Sequence, residues 1–94
     1  MAATPEAKVK KKVKLILEKV GAYYIMPVTS GYGRSGAPDF IVCHKGRFIG
    51  IECKAGNNKP TALQLDNLDQ IQQNGGTSLL INEDNLFSLE SLLC

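Results

Sequence analysis

Apolar residues recur along this chain with two periods. Val9, Val13, Ile16, Leu17 and Val20 fall three or four apart, which predicts an amphipathic helix. Thr4 and Pro5 suit its start, as a hydroxyl cap followed by a first-turn proline, and Gly21 suits its end. Residues 23–28 (YYIMPV) read as a strand with Pro27 near its end or at an edge. Residues 40–43 (FIVC) and 48–51 (FIGI) are apolar, β-rich runs on either side of His44-Lys45-Gly46-Arg47, the pattern of a β-hairpin. After a loop over residues 55–60, Thr61 caps a second helix running to about Asn74, with Leu65, Leu68 and Ile71 or Gln72 inward. Gly75-Gly76 end it, residues 77–81 (TSLLI) form a strand, and Leu86, Leu89, Leu92 and Leu93 mark a short last helix. The order helix, three strands, helix, strand, helix predicts one α/β domain over residues 1–94, without repeat or linker.

The hairpin register brings the first chemistry into view. With Lys45-Gly46 as the turn, His44 faces Arg47 and Asp39 faces Glu52; a four-residue loop gives the same pairing. Lys54, two residues past Glu52, projects from the same face. Opposed like charges destabilise a sheet, so two carboxylates there need a compensating cation. Hard oxygen ligands suit Mg2+, and a lysine alongside suits a phosphate or a water. Both hairpin faces are largely apolar, so the hairpin is expected to be central and covered on both sides. His44, at the turn, is expected to be exposed and without a catalytic role.

Composition narrows the class. With 44% hydrophobic and 21% charged residues the chain is globular. No apolar run approaches the ~20 residues of a membrane span, and no apolar segment follows the N-terminal lysines to make a secretory signal. Cys43, Cys53 and Cys94 lack CxxC spacing, and with His44 as the one histidine they do not make a zinc site. Reduced thiols in the cytoplasm are the expectation. All 11 basic residues lie at or before Lys59, against four acids there, a net of +7; the remainder holds five acids and no base. A segregated positive half fits a polyanion binder, with Lys8, Lys11 and Lys12 as candidate contacts. The glycine-rich segment before Asp39 adds Tyr32, suited to stacking, and Arg34, suited to phosphate. No GK[ST] follows it, so it is not a Walker loop.

Pro38-Asp39 followed by Glu52-Cys53-Lys54 resembles the PD-(D/E)xK nuclease motif. Gly33-Arg34-Ser35-Gly36-Ala37-Pro38-Asp39, Glu52-x-Lys54, Gln64 and Gly75-Gly76 more closely resemble the VRR-Nuc family, over about residues 4–81. The resemblance implies a PD-(D/E)xK restriction-endonuclease-like α-β-β-β-α-β core, with a mixed central sheet flanked by helices. It implies DNA as substrate and Mg2+ or Mn2+ as cofactor. Asp39 and Glu52 would be metal ligands, with the Cys53 backbone carbonyl between Glu52 and Lys54 as a third. Lys54 would stabilise transition-state charge. Glu6, three residues before Val9 and so on the inward stripe, would be the acid such proteins carry on the first helix; Glu18 is its rival but lies off the stripe. Gln64 would sit beside Lys54, and Ser35 would join Arg34 against DNA.

The expected function is therefore a metal-dependent, structure-specific endonuclease. A module without a recognition domain gains selectivity most simply as a homodimer, and compact phage and bacterial relatives resemble Holliday-junction resolvases. Tyr23, Tyr24 or the last leucines are candidates for the dimer interface. The alternative is a non-catalytic DNA-binding or protein-docking module that keeps the fold.

Overall fold

The hairpin that carries the motif forms with the expected register. Strand β2 (Phe40–His44) pairs antiparallel with β3 (Arg47–Cys53), His44 opposite Arg47 and Phe40 opposite Ile51. Lys45 and Gly46 both take positive φ, 52° and 78°, the conformation of a type I′ turn whose twist matches that of the strands. The structure is a computed structural model and describes residues 4–28 and 33–94. Tyr32 and the adjoining residues of the glycine-rich segment lie outside the described residues, so the expectation for Tyr32 is not addressed.

Around the hairpin the chain runs α1 (Pro5–Lys19), β1 (Tyr23–Ile25), β2, β3, α2 (Ala62–Gln73), β4 (Thr77–Ile81) and α3 (Leu86–Leu93). The sheet order is β1-β2-β3-β4. Strands β1, β2 and β3 are antiparallel neighbours, and β4 runs parallel to β3 after the α2 crossover. This is the mixed α/β fold that the pattern predicts, with the hairpin central.

One sheet face holds the core. Val9, Val13 and Leu17 of α1 and Leu89 and Leu93 of α3 close over Phe40, Val42, Ile49, Ile51 and Ile81. Each such fully buried side chain contributes about 1.5–3 kcal/mol, so this face supplies most of the stability. Tyr24 packs edge-on against Phe40, ring centroids 5.9 Å apart, and its hydroxyl donates to Glu18 Oε2 at 2.7 Å. Glu18 is thereby committed to a tyrosine at the edge strand. Among the described residues no helix is long and apolar enough to cross a membrane.

The second face departs from expectation. Helix α2 packs mainly on β3 and β4, and Tyr23, Ile25 and Phe48 remain largely exposed. The inward line of α2 passes through Gln64, Asn67, Leu68 and Ile71, and Gln72 is exposed. Leu65 lies about a third of a turn round from that line and is exposed. Leu92 of α3 is likewise turned outward.

Two more differences have clear causes. Strand β1 stops at Ile25, short of the six residues expected, because Pro27 has no N–H to give a ladder. His44 is buried, not exposed. Its place on the core side of β2 points the ring at α3, where Nε2 donates to the Leu93 carbonyl at 2.7 Å. Arg47 donates to the Leu92 carbonyl at 2.8 Å. The last carbonyls of a helix lack partners within it, and here the hairpin turn supplies them.

The approach to Asp39 is fixed by a close contact. Gly36 has φ +77°, and a Cβ built on it would lie 2.7 Å from Leu63 Cγ and 2.9 Å from Asn67 Nδ2. Gly36→Ala is expected to cost roughly 2–3 kcal/mol through conformational strain and overpacking. Urea unfolding checks this; an unchanged midpoint contradicts the packing described.

Candidate active site

Four charged side chains, drawn from α1, the start of β2 and the end of β3, meet at the open end of the hairpin, and a fifth joins them from α1. Asp39 precedes β2, and its Oδ2 accepts the Cys53 N–H at 2.8 Å, so the side chain continues the ladder where the strand pairing ends. Glu52 is 1% exposed. One of its oxygens, Oε2, is 3.8 Å from Lys54 Nζ. The other, Oε1, is buried and has no hydrogen-bond partner among the described residues. Lys54 is also 3.8 Å from Glu6 Oε1, so Glu6 is turned toward the sheet. Glu52 forms the floor, Asp39 and Lys54 the walls, and Glu6 with Lys10 the more exposed rim.

Lys10 is the residue that sequence reasoning missed. Its Nζ lies 3.1 Å from Asp39 Oδ1. Burial pulls its pKa down, but the hydrogen bond and charge of Asp39 outweigh this and leave it raised. A signal was present: Lys10 is four residues after Glu6, hence on the same helix face.

The electrostatics follow from the crowding. Burial, then the charge of Asp39 and the hydrogen bond to it, raise the Glu52 carboxyl from an ordinary 4.5 to about 8, with Lys54 opposing. The Cys53 thiol faces the core, and burial, followed by the charges of Asp39 and Glu52, pushes it up to about 12. It therefore stays protonated and offers no thiolate to a cation.

These groups fit a divalent cation. An orphaned, buried carboxylate oxygen beside a second carboxylate is a liability that a metal ion relieves. Among the described residues no three His, Cys, Asp or Glu side chains could by themselves hold an ion. The donor set is thus two carboxylates completed by backbone or water oxygen, which suits a hard ion that keeps several waters.

The remaining candidates lie elsewhere. Gln64 forms a capping box with Thr61: its Oε1 accepts the Thr61 N–H at 2.9 Å, and its own N–H donates to Thr61 Oγ1 at 3.2 Å. Its carbonyl end thus serves the α2 start, not Lys54. Arg34 donates through Nε to Asn67 Oδ1 at 2.7 Å and through a terminal nitrogen to Gln70 Oε1 at 3.0 Å. Asn67 Nδ2 donates to the Ser35 carbonyl at 3.1 Å. Arg34 and Ser35 are thus tied to α2. A groove of about 750 Å3 includes Arg34, Pro38, Ile41, Phe48 and Ile71 in its lining, but none of the clustered charges. Lys8 and Lys12 border Glu83 and Leu86 on the flank of α1 away from Lys10, and Lys11 is exposed. Asn67 had no sequence signal, since hydropathy discounts a polar residue on an inward face.

Solved structures resemble this fold. One, described as "VRR_NUC domain", superposes with a TM-score of 0.77 at 28% identity, covering 95% of this chain and 97% of its own. Another, "VRR_NUC domain protein", gives a TM-score of 0.59 at 17% identity over 99% of this chain and 90% of its own, a likeness of fold alone. No family model matches the sequence, and no curated protein does.

The raised Glu52 carboxyl has a measurable consequence. Between pH 4.5 and about 8 the folded protein holds a proton there that the unfolded chain has lost. Without metal, stability therefore falls as pH rises through that window and levels above it. Glu52→Gln is expected to flatten the fall, and Mn2+ at pH 8 to stabilise the wild-type protein but not this variant. Urea unfolding from pH 5 to 8.5 measures both; identical profiles for the two proteins contradict the assigned environment.

Proposed function

From the premise that the chain is a VRR-Nuc domain, we propose that it is a metal-dependent DNA endonuclease that acts on branched DNA. One observation carries the reading. Glu52 is buried against Asp39 with an oxygen that accepts nothing, and a lysine stands beside it. No packing or folding role accounts for such a group, because a carboxyl in this setting costs stability.

Asp39, Glu52 and the Cys53 carbonyl would hold Mg2+ or Mn2+. Bound there, the ion would supply Lewis acidity at a phosphate oxygen and a lowered pKa for a water. The chain's own groups do the rest. Asp39 is held by the Cys53 N–H, so its orientation is preset. Lys54, between Glu6 and Glu52, presents its ammonium where the phosphate gains negative charge. Glu6, on the open rim, can accept a hydrogen bond from the attacking water and align it. Gln64 retains its amide N–H donors for a substrate oxygen once its carbonyl is spent on the cap.

Selectivity is read as coming from a second copy. A homodimer would set two sites against two strands, as resolution of a Holliday junction requires. The uncovered sheet face around Tyr23, 72% exposed, Ile25 and Phe48 supports this, as does exposed Leu92; Tyr24 packs inward and drops out. A cytoplasmic setting, in a host cell if the gene is phage-borne, fits the free thiols.

The test is cleavage of labelled four-way junction, flap, single strand and duplex with Mg2+ or Mn2+. Paired symmetric nicks in the junction are expected. Lys54→Ala and Asp39→Asn should each lose on the order of 100-fold or more in rate. Cleavage undiminished in both variants contradicts the assigned chemistry.

A further inference from the structure

Asp39 has two carboxylate oxygens with different duties. Oδ2 is committed to the Cys53 N–H, which ties it to the backbone. Oδ1 is therefore the oxygen left for a cation, and the Lys10 ammonium sits on it at 3.1 Å. Lys54 has no such freedom. Its side chain is 13% exposed and lies between two acids, whereas that of Lys10 is 36% exposed at the rim.

We infer that Lys10 is a displaceable counter-ion, holding Asp39 until a divalent cation takes Oδ1, and that the freed ammonium then grips a phosphate of the DNA backbone. The inference rests on the metal-dependent reading above and adds an order of events to it. Asp39 Oδ1 is the charged partner of the Lys10 ammonium at 3.1 Å, so the empty cluster retains Lys10. A divalent cation on that oxygen repels an ammonium a few ångströms away. A lysine, a compact charge on a flexible stem, can swing from one partner to the next; a guanidinium fork fixed on Asp39 would exchange less readily. Lys10 thus couples metal loading to substrate capture: the site gains its outward-facing positive charge only once it is loaded.

The test has two arms on the intact chain. Lys10→Met keeps the alkyl stem and removes the charge. Lys14→Met removes a charge from an exposed lysine one turn further along the same helix. Lys10→Gln serves as a second uncharged variant if the Met form folds poorly. In the first arm, isothermal titration of Mn2+ without DNA should show binding roughly three- to tenfold tighter in Lys10→Met, and within about twofold of wild type in Lys14→Met. In the second, fluorescence anisotropy of labelled DNA should show Lys10→Met weakened severalfold with Ca2+, and much less without a divalent ion. The salt dependence measured with Ca2+ should also flatten by about one unit of slope. Mn2+ affinities equal in the two Met variants, or a DNA defect independent of Ca2+, overturn the inference and leave the nuclease reading standing. No Mn2+ binding by the wild-type protein overturns both.

Discussion

Asp39 and Glu52 face each other at the end of a hairpin where neither is comfortable. Glu52 is almost wholly removed from water, and the charge of Asp39 bears on it. The surrounding fold holds them there. A two-residue turn sets the register, the Asp39 side chain caps the ladder at Cys53, and α1 brings Glu6 and Lys10 across the opening. The apolar contacts of α1 and α3 with one sheet face supply the stability that offsets this local cost.

The parts of the fold that do not touch the site still serve its geometry. His44 and Arg47 satisfy the last carbonyls of α3, so the far end of the hairpin is anchored as firmly as its working end. Asn67 ties the Ser35 carbonyl and Arg34 to α2, fixing the path into Pro38 and Asp39. Gly36, pressed against Leu63, lets that path run close to the helix. The glycine-rich approach is in these described residues a positioning device for the strand.

Much of this was legible in the sequence, for a physical reason. A period of two with a two-residue turn fixes register outright, so the opposition of Asp39 and Glu52 could be read from spacing. The buried stripe of α1 likewise placed Glu6. Less was legible where polar residues do structural work. Gln64 reads as a site residue but spends its carbonyl on a cap, and Asn67, a polar residue on the inward line of α2, is buried. Proximity to the turn suggests an exposed His44, whereas its strand parity puts it on the core face. The positive charge of the first half was legible, but its bearing on the acids was not: Lys8 and Lys12 border Glu83, and Lys10, not among the expected contacts, is the lysine at the acids.

The central claim is that the two carboxyls exist to share a cation. Crystals grown with Mn2+ and measured at its absorption edge test it most directly. The account predicts one anomalous peak in each chain bonded to Glu52 Oε1 and Asp39 Oδ1, with the Lys10 ammonium moved off Asp39. Carboxyls still in mutual contact, with no peak between them at saturating Mn2+, would contradict it.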